Sequence, residues 1–421
     1  MSLRGPSIAF VVAEFAPNLD ASAKRVGLQA DALARRGWRV QVVTGTAKAA
    51  DILAAAEAGI QVRVTDSPVG PAQALAPMPD ELAAELAEFE VVCVHLGAPL
   101  FSDVVRRTTP SARVWVELDD WSVVCGRGDL LAPATLGSCA ARLGPSAVRT
   151  SASMDACGSC LGSEGSEEQQ DELSRRMWLR SEELAAEVAA AGRVIVPSRT
   201  HLVRLADSIQ LTPERVRIIP PNQGLGPAAR LGPRAPWRGD SPLRLLYHGP
   251  RSTAAGLLEL VRGLAILQAE RVQLVLVGEQ AERGLDDRLR TLAGDMAIQF
   301  FAPGALELRR QAARCHVAVL PSRAAEGYPV AVDEAMALGL PVLASCAEAA
   351  AERHGADGLE QLEPRDPDAW TDRIGSFLRR PGELLQLTQC LPSQLPGPAE
   401  TAERLQSLFV HHASPGQNRA S

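Results

Sequence analysis

The feature that most constrains this chain is a repeated alternation. A short apolar run is followed by a segment with apolar residues at helical spacing, and then by another apolar run. Residues 8–12 form the first run. Residues 21–36 carry Val26, Leu28, Ala30, Leu33 and Ala34, and Gly37 supplies a stop. Runs at 39–43, 60–64, 91–96, 113–116, 193–197 and 216–219 continue the pattern. Short strands separated by helices predict parallel βαβ units and a doubly wound sheet. The rhythm restarts at 243–247, with strands at 272–277, 298–301, 317–320 and 341–344. Helices are expected near 256–268, 284–293, 306–314 and 330–338.

Between the two halves, residues 222–242 hold Pro227, Pro233, Pro236 and Pro242 besides Gly224, Gly226, Gly232 and Gly239. No helix survives that composition, so the stretch reads as a linker. The expected organisation is an N-terminal Rossmann-like domain at 1–221, a linker at 222–242, and a second domain at 243–398. A final helix and tail occupy 399–421, the helix packing back on the first half. A length of 421 residues suits two such domains. In open α/β sheets, ligands bind outside the carboxyl ends of the strands. Two such sheets facing across a cleft would take a ligand with two chemically different ends.

Composition removes several function classes. Hydrophobic residues make up 46% and charged residues 22%, ordinary for a globular chain. A net charge of −7 argues against a dedicated nucleic-acid binder. No run approaches the roughly 18 apolar residues of a membrane span, though peripheral membrane contact stays open. The run at 8–12 is too short for a signal-peptide core and Glu14 follows it, so a cytoplasmic location is expected.

Residues 121–170 break the rhythm; they are rich in Gly, Ser and Cys. Cys125, Cys139, Cys157 and Cys160 fall within 36 residues, the last two as a C-x2-C pair. That pair suits thiolate ligation of a structural zinc, which would offset the burial such a loop lacks. Four reduced thiols, or a disulfide between two of them, are the alternatives. Cys93, Cys315 and Cys346 lie in apolar, strand-like surroundings and read as small core residues.

The most informative stretch runs from Pro321 to Ala337. A strand ends in the loop Ser322-Arg323-Ala324-Ala325-Glu326-Gly327-Tyr328, and Pro329 suits the first turn of the helix that follows. Exposed N–H groups at that turn would favour phosphate, and Gly327 lets a ligand approach the backbone. Glu334 lies on the helix, where a carboxylate can accept two hydrogen bonds from a vicinal diol such as a ribose. An ordinary βαβ turn with one solvated glutamate has the same spacing.

Glu326 and Glu334, with seven residues between them, Gly327 after the first and Ala335-Met336-Ala337 after the second, then Gly339-Leu340-Pro341-Val342, resemble the E-x7-E signature of retaining glycosyltransferases. The chain looks like glycosyltransferase family 4, whose fold is GT-B. Pro197-Ser198, residues 216–222 and residues 33–40 are similar to supporting segments of that family. The resemblance implies a nucleotide diphosphate sugar as donor, and a hydroxyl acceptor that is a glycan, a lipid-linked species or a small molecule. It implies retention of configuration and no cofactor for catalysis. Glu334 would hold the donor ribose and Glu326 would lie beside the donor sugar. Gly249 and the backbone of Gly327, Tyr328, Pro329 and Val330 would face the donor diphosphate.

The sequence also departs from the family pattern. An arginine and a lysine usually neutralise the leaving diphosphate. Here those positions hold Pro250 and Ala255, and Arg251 is the nearest substitute. The family's first-loop glycine pair is replaced by residues 18–22, which include Asp20 and Ser22. A usual histidine-aspartate pair reads Asp119-Asp120. Asp119 is expected beside the sugar or in a turn, and Asp120, Asp20, Ser22 and Arg25 on the acceptor side. These departures motivate a second reading, a catalytically impaired GT-B scaffold that binds nucleotide or partners an active transferase. A nicotinamide-dependent oxidoreductase is a third, but Gly224-Leu225-Gly226 opens no lasting helix. Asp366-Pro367-Asp368 resembles a D-x-D metal motif but lies far from the sugar-site signature.

Overall fold

The structure is a computed structural model of the 421-residue chain. It describes residues 6–15, 21–65, 79–95, 107, 113–121, 125, 131–132, 137–138, 159–160, 166–172, 175, 188–206, 209–221, 224–225, 236–324 and 326–413.

The first half contains β1 (Ser7–Phe15), α1 (Ala21–Ala34), β2 (Arg39–Ala47), α2 (Ala49–Glu57), β3 (Ile60–Val64), α3 (Asp80–Leu86), β4 (Val91–His95) and β5 (Val114–Glu117). A two-stranded ribbon follows, β6 (Leu131–Ala132) with β7 (Gly137–Ser138), inside the Cys-rich segment. Then come β8 (Arg193–Val196), α4 (Arg199–Ala206) and β9 (Val216–Ile218). The main sheet has seven strands in the order β3-β2-β1-β4-β5-β8-β9, and every pairing is parallel.

The second half contains β10 (Leu243–His248), α5 (Leu257–Ala265), β11 (Val272–Val277), α6 (Leu285–Ala293), β12 (Ala297–Phe301), α7 (Ala305–Ala312) and β13 (Val317–Leu320). It continues with α8 (Val330–Ala337), β14 (Val342–Ala344), α9 (Glu348–His354), β15 (Leu359–Gln361), α10 (Pro367–Arg379) and α11 (Pro381–Gln389). Its six strands run β12-β11-β10-β13-β14-β15, again all parallel. The last helix, α12 (Pro398–Ala413), belongs with the first half.

The apolar runs explain the sheets. A strand covered by helices on both faces must be apolar at successive positions. Ile8 to Val12 are buried, as are residues 245–247 and 274–277. On α1, Val26, Ala30 and Leu33 repeat at helical spacing and all lie in the first core. Ala402 and Leu405 of α12 join that core, and Phe409 meets the Trp38 ring edge-on at 4.9 Å. Residues 222–242 are more than a tether. Leu225 and Trp237 are buried in the second core, and the Trp237 Nε1–H donates to the Ser241 carbonyl at 2.9 Å. Asp366, in the D-x-D run, caps α10 by accepting the Asp368 N–H at 3.0 Å.

In both sheets the first strand lies between the second and fourth strands of its unit. That is the topological switch point, β1/β4 in the first unit and β10/β13 in the second. The titratable groups singled out below gather at the carboxyl ends of these strands and their neighbours.

Candidate active site

In the second unit, three loops at the strand ends are tied together through the backbone. Arg251 N–H donates to Glu279 O at 2.8 Å, Ala281 N–H to Arg251 O at 3.1 Å, and Arg323 N–H to Ala254 O at 2.9 Å. Two glycines allow this closeness. A Cβ on Gly278 would stand 1.9 Å from the Gly249 carbonyl oxygen, and one on Gly256 would stand 1.8 Å from that of Pro321. Gly249 thus sits in a backbone cradle beside the mouth of β10.

Glu334 lies on α8 and is buried, and Oε2 stands 3.2 Å from Nε2 of His248, the last residue of β10. Glu326 is exposed on the loop ahead of α8. The protein packed around that loop pushes its carboxyl up, while a hydrogen bond with Ser322 pulls the other way. Water reaching the exposed group screens it, so the shift carries no stability argument. Burial, aided by the Glu326 charge, raises the Tyr247 phenol, whose O–H donates to Pro250 O at 2.7 Å.

The turn into α8 is fixed by a buried network. Tyr328 O–H donates to Asp333 Oδ1 at 2.9 Å, Arg353 Nη1 to Asp333 Oδ2 at 2.8 Å, and His354 Nε2 stands 2.6 Å from Asp333 Oδ1. Burial and the adjoining Asp333 carboxylate push the Tyr328 phenol up. Tyr328 therefore turns its side chain inward, leaving its backbone to the site. Pro329 has no N–H, and the Val330 N–H is already donated to Tyr328 O at 3.0 Å. The sequence signalled neither Asp333 nor its partners Arg353 and His354, because they converge from about 20 residues apart.

Arg251 is committed. Nε and Nη2 make a bidentate pair with Asp286 at 2.9 and 3.0 Å, and Nη1 donates to the carbonyls of Gly278 and Phe301. Four of the five guanidinium N–H groups are thereby used inside the fold. That geometry makes Arg251 a strut between the loops after β10 and β11, a different position from the diphosphate-facing one expected of it. Arg323 likewise pairs with Glu259 of α5 at 3.0 Å.

The first unit has its own cluster, at the ends of β4 and β5. Arg25 from α1 pairs with Glu117, stands 3.8 Å from Asp119, and donates to Ile219 O at 2.9 Å. His95 lies between the two carboxylates, Nε2 3.1 Å from Glu117 and Nδ1 3.2 Å from Asp119. Burial works to lower the His95 pKa, but the Glu117 and Asp119 charges outweigh it and the net direction is up. Burial raises Glu117 against the pull of Arg25 and His95. The His201 ring lies 4.2 Å from that of Trp121, tilted by 43°, and burial drives its pKa down to about 4.

Donor atoms of Cys93, His95 and Glu117 lie within 4.8 Å of one another. A metal fits poorly there, because the Arg25 guanidinium already balances Glu117 and burial holds the Cys93 thiol protonated. Asp120 is half-buried beside this cluster in sequence. Asp20 lies outside the described residues, as does the Ser22 side chain. Of the four clustered cysteines, Cys125 is buried and Cys160 half-buried, whereas Cys139 and Cys157 lie outside the described residues.

Comparison with known proteins agrees with this layout. Residues 242–380 match a family model described as "Glycosyl transferases group 1". An MMP α-(1→4)-mannosyltransferase of Mycolicibacterium hassiacum is 35% identical over 137 residues, 31% of this chain and 33% of that protein. The match thus spans about a third of that relative's length. The solved structure of Anabaena HepE in complex with UDP and glucose is similar over 97% of this chain and 100% of that one, with TM-score 0.65 and 17% identity. A glycosyltransferase from Rickettsia africae is similar over 98% and 99%, with TM-score 0.66 and 12% identity. At these identities the likeness is one of fold, and the fold is GT-B. Residues 242–380 are thus similar to glycosyltransferases of group 1, and the chain has the GT-B fold.

Proposed function

We propose that this protein is a retaining glycosyltransferase of family 4, moving a sugar from a nucleotide diphosphate sugar to a hydroxyl acceptor. The observation that carries this reading is Glu334. It is a buried carboxylate on α8, at the switch point of the unit similar to glycosyltransferases of group 1, behind a loop pinned by Asp333. A carboxylate so held accepts both hydroxyls of a ribose. The backbone of Gly249 and of the 327–328 turn lines the way to the diphosphate, and Glu326 stands at the exposed end for the donor sugar. Fixed dipoles of this kind act on charge that develops as the diphosphate leaves. Similar proteins support a nucleotide-sugar donor, since HepE was solved in complex with UDP and glucose.

The acceptor side falls to the first unit, with Asp119, Asp120 and Arg25 near the ends of β4 and β5. The Cys-rich segment is proposed to hold one structural zinc through Cys125, Cys139, Cys157 and Cys160; elemental analysis of protein purified without added metal checks this.

A second reading, the impaired scaffold, is favoured by one observation. The arginines nearest the proposed diphosphate path, Arg251 and Arg323, are both held in ion pairs with Asp286 and Glu259. Thermal shift against UDP, GDP, ADP and their sugars, followed by transfer assays with the donor that binds, separates the two. Ligand at ~100 times Kd should add roughly 2.7 kcal/mol. Binding with turnover supports the enzyme, binding without turnover supports a nucleotide-binding scaffold, and no binding contradicts the enzyme and leaves only a scaffold that partners an active transferase.

A further inference from the structure

The geometry points to His248 as a positioning residue that aligns Glu334 for the ribose of the bound nucleotide. This rests on the donor-site reading above. His248 is the last residue of β10, the strand at the switch point, and it is 6% exposed. Its Nε2 stands 3.2 Å from Glu334 Oε2, yet neither ring nitrogen has an aligned hydrogen-bond partner. Buried polar atoms without aligned partners are costly, so each one calls for a reason. Here the reason is at hand. The ring is next to Gly249, whose carbonyl lies against Gly278, and it faces the buried Glu334 carboxylate of α8. In many sites a hydrogen bond that is misaligned without ligand tightens once the ligand is in place.

A small rotation of the Glu334 carboxylate toward a ribose lets Nε2–H donate to Oε2. That bond fixes the carboxylate plane so that its remaining lone pairs meet both ribose hydroxyls. The other ring nitrogen then lies at the strand end, within the same site. A hydrophobic residue at this position would remove the N–H that faces Oε2 of Glu334.

The test uses the full-length protein and calorimetry. The probe is whichever of UDP, GDP and ADP binds best, alongside its 2′,3′-dideoxy analogue. His248→Ala should weaken the diol-bearing nucleotide roughly tenfold and leave the dideoxy analogue unchanged. His248→Gln keeps an N–H donor and should recover most of that loss. The dideoxy analogue doubles as a control for folding. Equal weakening of both nucleotides would make His248 a structural residue and overturn the inference. Unchanged binding of both would overturn it too, while leaving the donor site standing. Failure of the parent protein to bind any of the three would overturn the donor reading and this inference together.

Discussion

The two switch points solve the same geometric problem with opposite chemistry. In the first unit, Arg25, His95, Glu117 and Asp119 form a network of ion pairs within the fold, in which Arg25 Nε and His95 Nε2 have no aligned hydrogen bond. In the second unit, the strand ends are lined by backbone and glycine, the ion pairs Arg251–Asp286 and Arg323–Glu259 brace the loops, and Glu334 faces His248 at the switch point. A self-neutralised cluster is built to hold a fold together. In the second unit, an imidazole whose two ring nitrogens have no aligned hydrogen bond faces a buried helix carboxylate. The proposed function puts the nucleotide in the second unit, and the comparison can be broken at either end.

The largest effect is expected from the first cluster. Glu117→Ala leaves the Arg25 charge buried with only the more distant Asp119, and should cost about 3–5 kcal/mol in urea unfolding. Nucleotide affinity of the second unit should not change in protein that remains folded. If affinity falls in step with stability, the two clusters are not separable.

Arg251→Ala comes next. It strands Asp286 and loosens the loops after β10 and β11, so a loss of about 3 kcal/mol in stability is expected. An Arg251 that neutralised the leaving diphosphate would instead lower kcat by ~100-fold with stability unchanged. Unfolding curves and turnover, measured on the same variant, distinguish a strut from a phosphate ligand.

The third expected effect is a pH dependence confined to the first unit. His201 has a folded pKa of about 4, below its unfolded value of roughly 6.5. The unfolded chain therefore binds the extra proton first, and stability falls as pH drops from about 6.5 toward 4. At pH 4.5 the loss from this group is roughly 2–3 kcal/mol. His95 is shifted the other way, so its contribution is full below its unfolded pKa and is lost as pH rises through the folded one. The His201→Phe variant keeps an aromatic ring against Trp121 and isolates the His201 contribution. Its urea midpoint should fall less between pH 7 and pH 4.5 than that of the parent. An identical fall would mean that His201 is not the group responsible.

Much of this architecture is legible in the sequence because apolar runs and helical spacing are local signals. The strands 60–64, 272–277 and 317–320 stand where their apolar residues put them. By contrast, β15 is three residues long and carries Glu360, and α9 is rich in alanine without a strong apolar face, so neither announces itself. Glu334 was visible through its fixed distance from Glu326. The partners of the site were not, since Asp286 reaches Arg251 from 35 residues away and Asp333 meets His354 across 21. His248 left a faint signal, a histidine ending an apolar strand just before a glycine. Arg25 shows the limit of reading charge from sequence. A helix arginine looks solvated until the fold brings Glu117 to it across 92 positions.

The account's central claim is that the second unit's switch point holds the nucleotide through Glu334. Calorimetry with the best-binding nucleoside diphosphate, on the parent and on Glu334→Ala, tests it most directly. Losing a charged acceptor should weaken binding by about 1.5–3 kcal/mol while the unfolding midpoint stays within error of the parent. An unchanged Kd would reduce Glu334 to a buried helix residue and contradict the account.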